Sequence, residues 1–167
     1  KKNIFKNKKI LITGATGSIG LALISEFIKN YNFKVLRAMS NDENGLFQLS
    51  QKIRSRNNSL HSTMKAKKIR LIHGDVRNYN RCLEATNDID IVIHAAAMKH
   101  VPICEYNPNE AIETNINGTK NICKASIENK IEKFLFISSD KAVDPQTIMG
   151  TTKLVGEKIV LNANDIA

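Results

Sequence analysis

Short apolar runs alternate with longer amphipathic stretches along the 167-residue chain. The first run, Lys9 to Thr13, is rich in isoleucine and stops at a glycine, a pattern typical of a buried parallel strand. Apolar residues at helical spacing follow from Ile19 to Ile28. Strand and helix signals then keep alternating, which predicts an α/β fold with a doubly wound parallel sheet of the Rossmann type.

The later elements are predicted from further apolar runs and from the polar turns that end them. A turn at 41–45 closes the second strand, and the polar segment 57–66 lacks periodicity, so an exposed loop is expected there. The predicted strands cover 33–39, 68–73, 89–95 and 134–138, and the predicted helices cover 46–56, 80–86, 110–128 and a stretch that starts near 149.

Composition fits one globular domain, with 42% hydrophobic and 25% charged residues. No apolar stretch approaches the roughly 18–20 residues of a membrane span, and no signal-peptide pattern opens the sequence, so a cytoplasmic protein is expected. The cysteines Cys82, Cys104 and Cys123 are odd in number and lack Cys-x-x-Cys spacing. They predict reduced, packed thiols, with neither a disulfide framework nor a metal site.

The net charge of +9 comes largely from two segments, 1–9 and 51–70. Solvated basic surface explains it most simply, and an anionic substrate would also favour a positive field. The chain has no Trp and only three Tyr, so these segments do not interleave aromatic rings for base stacking. No nucleic-acid partner is predicted, although a nucleic-acid binder remains an alternative.

A glycine-rich turn joins the first predicted strand to the first predicted helix. Its spacing, Gly-x-x-Gly-x-x-Gly, allows a tight turn, close approach of a pyrophosphate and close packing of helix on strand. Free N–H groups at the helix start would point at the anion. The turn residues assigned to the cofactor are Gly14, Thr16, Gly17, Ser18, Ile19 and Gly20.

The tip of the second strand bears on the choice between NAD and NADP. A carboxylate there would bind the adenosine ribose of NAD, whereas basic or small polar residues accommodate a 2′-phosphate. The strand ends without an acid, which favours NADP, with Arg37, Ser40 and Asn41 as ligands of the 2′-phosphate. NAD is the alternative, because the carboxylate of Asp42 follows shortly after the strand. After the third strand, Asp75 and Val76 either receive the adenine or form a solvated turn.

Several longer motifs resemble the extended short-chain dehydrogenase/reductases, and among them the UDP-N-acetylglucosamine 4,6-dehydratases of polysaccharide biosynthesis. The resemblance covers essentially the whole chain, and the Ala-Ala-Ala-x-Lys-His-Val-Pro and Ser-Asp-Lys-Ala blocks are more specific than the glycines. The matching motifs are the Gly loop, His73 to Arg77, His94 to Pro102, Cys104 to Pro108, Thr114 to Thr119 and Ser138 to Ala142.

This resemblance implies that C4 of a UDP-sugar is oxidised by NADP, water leaves across C5 and C6, and the hydride returns to C6. It assigns Asp140 as the acid that protonates the departing hydroxyl and Lys141 as the base that takes the C5 proton. At neutral pH the acid must stay protonated and the amine must lose its proton, which burial and mutual charge are expected to achieve.

The resemblance also implies a Tyr-x-x-x-Lys motif, whose lysine binds the nicotinamide ribose. Here the run begins with Met149 and ends with Lys153, so the lysine is present and the tyrosine is absent. A thioether transfers no proton. Ser139, Asp140 or a water relay would then take the C4 hydroxyl proton, and Met149 would pack against the nicotinamide or the core.

Further site residues come from the loop after the fourth strand and the helix that follows. The resemblance implies cofactor contacts for Ala95, Ala96, Lys99 and Asn115, and substrate contacts for Lys99, His100 and Val101, while Tyr106 falls in a substrate-side loop. The two strand-end histidines, His73 and His94, are predicted to be satisfied core residues.

These features together predict one Rossmann domain over residues 1–167 of a nucleotide-sugar 4,6-dehydratase, with the C-terminal substrate region missing. A homo-oligomer is expected from the family. A non-catalytic NAD(P)-binding module and a 4-epimerase on the same scaffold are the alternatives.

Overall fold

Five parallel strands form one sheet in the order β3-β2-β1-β4-β5 in the computed structural model, which describes residues 4–55 and 64–166. The strands are β1 Lys9–Thr13, β2 Val35–Ser40, β3 Ile69–His73, β4 Ile91–His94 and β5 Lys133–Phe136. The helices are α1 Ser18–Asn30, α2 Glu43–Ser55, α3 Tyr79–Thr86, α4 Val101–Tyr106, α5 Pro108–Ile112, α6 Gly118–Glu128 and α7 Ile148–Ile166, with a π-helical turn at Glu113–Asn117 and a 3₁₀ turn at Asp140–Ala142.

Alternate residues of the strands enter two apolar layers because successive side chains point to opposite faces. Ile10 and Ile12 of β1 pack with Phe27 of α1 and Leu49 of α2 on one face. Leu11 packs on the other face, with residues of α3 and α6. The doubly wound parallel sheet predicted from the sequence is therefore confirmed.

Strand order reverses between β1 and β4, which pair with each other while their following helices pack on opposite faces. In open α/β sheets such a reversal leaves a crevice at the carboxyl ends of the strands. The loops after β1, β2, β3 and β4 meet at this crevice.

Two predicted boundaries were wrong. Residues 43–45 of the turn expected at 41–45 already belong to α2, because the Asp42 carboxylate accepts a hydrogen bond from the Gly45 N–H at 2.9 Å and so caps the helix. Of the loop expected at 57–66, residues 64–66 are helical, and 56–63 lie outside the described residues.

The helix expected over 110–128 is present, but it starts two residues earlier and contains a π-helical turn. The segment is α5, the π-helical turn and α6, and α4 precedes it without having been predicted. Both α4 and α5 carry a proline in the first turn, where its missing N–H costs no helical bond.

Cys82, Cys104 and Cys123 are free and buried, as predicted. Burial raises the pKa of the Cys82 and Cys123 thiols to about 12. In residues 4–55 and 64–166, no helix is long and apolar enough to cross a membrane.

Candidate functional site

The Gly loop after β1 lies directly against the loop after β4. Gly14 has φ +66°, and a Cβ added there would lie 2.7 Å from the Ala96 nitrogen. A Cβ on Gly20 would collide with the Gly14 carbonyl oxygen. Only glycine fits at these two positions, so the turn can stay this tight and α1 can start this close to the sheet.

The amino end of α1 is open to an anion. Gly17 is its N-cap and supplies no side-chain hydrogen bond, and the first turn carries no acidic residue. The Lys99 ammonium donates to the Ser18 hydroxyl at 3.2 Å, which places a positive charge at the same helix end. Unpaired N–H groups, the helix dipole and Lys99 together suit a pyrophosphate.

A cleft of about 400 Å³ opens at this point. Most residues predicted to bind a cofactor line it, and so do seven that were not predicted. The predicted lining residues are Gly14, Thr16, Gly17, Ser18, Ile19, Gly20, Ser40, Asn41, Asp75, Val76, Ala95, Ala96 and Lys99, and the others are Met39, Gly74, Arg77, Ala97, Met98, Glu110 and Thr114.

Some of the unpredicted residues could have been identified from neighbouring motifs in the sequence, and others could not. Met39, Gly74, Ala97 and Met98 adjoin predicted site residues, so extending each motif by one or two positions would have found them. Thr114, in the π-helical turn, opens the matching motif Thr114 to Thr119, whereas Glu110 reaches the cleft from α5 and has no local signal.

One corner of the cleft holds two ion pairs of Arg77, one within the turn after β3 and one to α5. Arg77 donates from Nη2 to Asp75 Oδ2 at 2.7 Å and from Nη1 to Glu110 at 2.9 Å. The Asn41 amide approaches the same Asp75 oxygen at 3.4 Å. Partial burial raises the pKa of Asp75, but the hydrogen bonds and charge of Arg77 outweigh it, so the pKa lies below its ordinary value.

Arg37 does not reach this corner. Its guanidinium donates to the carbonyl oxygens of Ala85 and Asn87 on the α3 side of the sheet. Ser40 does reach the cleft, where its hydroxyl lies 2.8 Å from that of Thr16. Of the three residues predicted for a 2′-phosphate, the structure brings Ser40 and Asn41 to the cleft and turns Arg37 away from it.

A buried hydrogen-bond chain lies beneath the cleft and is centred on His94, which is fully buried. The Thr119 hydroxyl donates to the Asn115 carbonyl at 2.6 Å, so His94 Nε2 must donate to Thr119 and Nδ1 must accept from Thr13, at 3.0 and 2.6 Å. Burial, with a contribution from the charge of Lys153, lowers the pKa of His94 to about 3. His94 is the neutral core residue that was predicted.

The same prediction was wrong for His73, which is exposed. β3 is an edge strand of the sheet, so its last residue faces solvent.

Asn115 fastens the loop after β4 to α7. Its side chain accepts from the Met98 N–H at 2.8 Å and donates to the Met98 carbonyl and the Thr152 hydroxyl, both at 3.0 Å. It is 1% exposed and lies in the π-helical turn. Asn115 therefore holds the cleft wall from behind and does not line the cleft.

His100 and Val101 also lie off the cleft lining. His100 is the exposed N-cap of α4, and Val101 packs with Met149 in a small apolar cluster.

The Ser139–Lys141 turn follows β5 at the same edge of the sheet. The Ser139 hydroxyl lies 3.1 Å from Asp140 Oδ1, and Lys141 Nζ lies 3.8 Å from the same oxygen. The Asp140 side chain is 89% exposed. The Ser139 hydrogen bond and the Lys141 charge lower the pKa of Asp140. The expected burial is absent from this pair, and the mutual charge favours the ionised carboxylate, because an opposite charge stabilises it.

Met149 and Lys153 are both buried in α7. Met149 packs with Cys104 and Ala111, which supports the packing role. Lys153 Nζ donates to the Ile137 carbonyl and lies 4.3 Å from the centre of the Phe136 ring. Burial lowers the pKa of Lys153 to about 8, although Glu157 partly opposes this shift.

Comparison with known proteins extends these findings. The family model described as "Polysaccharide biosynthesis protein" matches residues 10–167. A UDP-N-acetylglucosamine 4,6-dehydratase (inverting) of Campylobacter jejuni is 42% identical over 98% of this chain and 46% of its own length. A UDP-glucose 4-epimerase of Rickettsia bellii is 41% identical over 95% of this chain and 44% of its own length.

A solved structure, Pen from Bacillus thuringiensis, is 43% identical and superposes with a TM-score of 0.86 over 95% of this chain and 47% of that one. The chain thus spans about half the length of the relatives it matches.

Proposed function

The chain belongs to the polysaccharide biosynthesis protein family, and from this premise we propose that it forms the dinucleotide-binding part of a nucleotide-sugar 4,6-dehydratase acting on UDP-N-acetylglucosamine. The observation that carries the proposal is the cleft at the β1–β4 reversal, where the Gly loop excludes side chains and Lys99 adds charge to the open end of α1. The Campylobacter relative, with its printed activity, supports the choice of reaction.

The cofactor proposed is NADP. No carboxylate lines the described cleft at the end of β2, where Ser40 and Asn41 stand. Arg77 shares Asp75 Oδ2 with Asn41, so its guanidinium would lie beside a 2′-phosphate bound at Asn41. We assign to Arg77 the role that the sequence suggested for Arg37.

Binding of both dinucleotides to two matched variants tests this assignment. Arg77→Gln is expected to weaken NADP binding about tenfold, as for loss of one charged hydrogen bond, with NAD binding little changed. Arg37→Gln removes the same charge away from the cleft and should leave the NADP-to-NAD ratio as it is. Equal ratios in both variants, measured by calorimetric titration, would exclude Arg77 as the phosphate ligand.

Bound NADP would supply the hydride acceptor for C4 and the hydride returned to C6. The chain's own residues would move the protons. Asp140 would protonate the C6 hydroxyl as it leaves, and Lys141 would remove the C5 proton. Because Asp140 is ionised in its exposed position, its role as an acid requires that bound substrate desolvate it and raise its pKa.

The proton of the C4 hydroxyl needs another acceptor, since the Met149 sulfur cannot serve. The Ser139 hydroxyl is hydrogen-bonded to Asp140, so it can take this proton while passing its own to the carboxylate. Such a relay would also leave Asp140 protonated for the elimination step.

The full-length product of the gene, incubated with UDP-N-acetylglucosamine and NADP, tests the reaction by mass spectrometry. Loss of one water from the sugar nucleotide is expected, together with its absence in Asp140→Asn and Lys141→Met. Full binding of dinucleotide without any change in substrate mass would reject the dehydratase and leave a non-catalytic binding module.

A 4-epimerase is the second candidate, because the Rickettsia relative bears that name at similar identity. The same assay separates the two, since epimerisation changes the stereochemistry at C4 and leaves the mass unchanged. The Asp140–Lys141 pair argues against it, because an adjacent acid and base suit elimination of water across C5 and C6, a step that epimerisation lacks.

A cytoplasmic location and a homo-oligomer complete the proposal. Light scattering of the full-length protein tests the oligomer, with a multimer as the expected result. Cell fractionation at about 0.5 M salt, where surface charges are screened, tests the location, with the protein expected in the cytoplasmic fraction.

A further inference from the structure

Lysines crowd the edge of the sheet opposite the cleft. Because all five strands are parallel, their amino ends share this edge, which we call the amino edge. Eight lysines and three carboxylates stand at or just before the strand starts. The amino edge comprises Lys6, Lys8, Lys9, Lys34, Lys67, Lys68, Lys130 and Lys133, with Asp88, Asp90 and Glu132.

The cleft edge has the opposite balance. Eight carboxylates there face four cations outside the core, so the charge of the described residues is polarised along the strand direction. These residues are Asp42, Glu43, Asp75, Glu105, Glu110, Glu113, Asp140 and Asp144, with Arg77, Arg81, Lys99 and Lys141. The excess positive charge of the described residues therefore lies away from the cleft.

Three of the eight lysines have partners. Lys8 pairs with Glu132, Lys9 pairs with Asp88, and the Lys68 ammonium donates to the Phe33 carbonyl. The other five have no hydrogen bond or ion pair through their side chains within the described part of the chain, and all five are exposed; they are Lys6, Lys34, Lys67, Lys130 and Lys133. The pKa of Asp88 is lowered mainly by Lys9, and the charges of Arg37 and Lys34 lower it further. Several cations therefore lie close to this carboxylate.

The predominance of lysine over arginine at the amino edge indicates the chemical class of its partner. Lysine carries a compact charge on a flexible stem, whereas arginine is favoured for fixed phosphate geometry and nucleic acids. The nearest arginines, Arg37 and Arg70, use their guanidinium groups on backbone carbonyls. The nearby rings of Phe5 and Tyr31 pack edge-on against each other at 5.1 Å and offer no stacking platform. Beside them, the apolar Ile4 is 56% exposed.

We propose that the amino edge docks the protein onto a lipid bilayer surface that carries anionic headgroups. Five exposed ammonium groups on flexible stems suit a fluid layer of negative charge, and the exposed Ile4 can enter the interface. Docking through this edge leaves the cleft, at the far ends of the strands, facing solution. The proposal is independent of the reaction assigned to the cleft.

Sedimentation of the full chain with lipid vesicles tests the docking. Binding to phosphatidylcholine vesicles that contain phosphatidylglycerol is expected at low salt, with loss on raising salt to about 0.5 M and no binding to phosphatidylcholine alone. Lys34→Glu/Lys133→Glu should weaken binding at least about 25-fold, from roughly fivefold for each lysine near an anionic surface.

Lys120→Glu/Lys124→Glu is the matched control, since it reverses two exposed lysines of α6, where Lys124 lies over the ring of Tyr79, the first residue of α3, and not at the amino edge. It should retain most of the binding, and both double variants should keep the dinucleotide affinity of the wild type. Equal loss in the two double variants, no binding to anionic vesicles, or tighter binding to duplex DNA at the same salt would each overturn the proposal. Should the Lys34/Lys133 variant fail to fold, the salt and lipid dependence of the wild type decides.

Discussion

The Gly-loop cleft and the Ser139–Lys141 turn lie at the same edge of the sheet, but they are held in different ways. In the cleft, backbone meets backbone so closely that Gly14 and Gly20 cannot carry a side chain, and the His94 and Asn115 networks support the floor and wall. In the turn, Asp140 is exposed and bonds only to its neighbours in sequence.

This difference separates binding from chemistry. The dinucleotide site is organised by residues of this chain before any ligand arrives, so mutation there should change both stability and affinity. The pair proposed for elimination depends on substrate for its working environment, and mutation there should leave both properties alone.

Gly20→Ala should have the largest effect. Its methyl group would collide with the Gly14 carbonyl, so the turn must open, and dinucleotide affinity should fall roughly 100-fold, or about 2.7 kcal/mol. Gly17→Ala is the control, because a Cβ there lies 3.3 Å from the same oxygen and needs only a small adjustment. Calorimetric titration measures both, and equal losses would mean that the close contact at Gly20 is not what shapes the turn.

Lys153 should contribute the next largest effect, seen in the pH dependence of folding. Its pKa of about 8 in the folded state lies below its ordinary value of 10.5, so the unfolded chain binds more protons between these values and stability rises with pH. The free energy of unfolding should gain roughly 2 kcal/mol from about pH 7.5 to 10 relative to Lys153→Met. Urea titrations of both proteins check this, and parallel curves would show that Lys153 stays solvated.

His94 should give a smaller effect at acid pH. The folded pKa of about 3 lies below 6.5, so protonation favours the unfolded chain and stability falls as pH drops below about 6.5. The wild type should lose about 1.5 kcal/mol from pH 6.5 to 5 relative to His94→Gln. Nitrogen chemical shifts of His94 offer a second measurement, with a protonated Nε2 and a bare Nδ1 expected throughout this range.

Much of the cleft could be predicted because its signals are local. The strand-glycine-helix order, the acid-free tip of β2 and the Asp75–Val76 turn each occupy a few consecutive residues, and parallel topology brings strand ends together. The direction of a side chain depends more on distant parts of the chain. Arg37 shares a face with Met39, yet only the position of α3 shows that the carbonyls of Ala85 and Asn87 receive it.

The errors arose where tertiary context overrides the sequence pattern. His73 and His94 end similar apolar runs, but one strand is at the edge of the sheet and the other is interior, which a run does not reveal. The π-helical turn at Glu113–Asn117 looks like ordinary helix in sequence. It occurs where the Asn115 side chain bonds across to Met98 and Thr152, residues far away along the chain.

Asp140→Asn should have the smallest effect on the stability and the dinucleotide affinity of this chain. Because the carboxylate is exposed and bonded only locally, the unfolding midpoint and the dinucleotide affinity should match the wild type above the ordinary carboxyl pKa of 3.8. Asp144→Asn, an exposed acid in the same loop, is the control. Thermal melts and calorimetric titrations of both variants measure these two properties. If Asp140→Asn weakened dinucleotide binding as much as Gly20→Ala does, the proposed separation of binding from chemistry would be wrong. Loss of dehydration in the full-length protein, with binding intact, would place Asp140 in the chemistry alone.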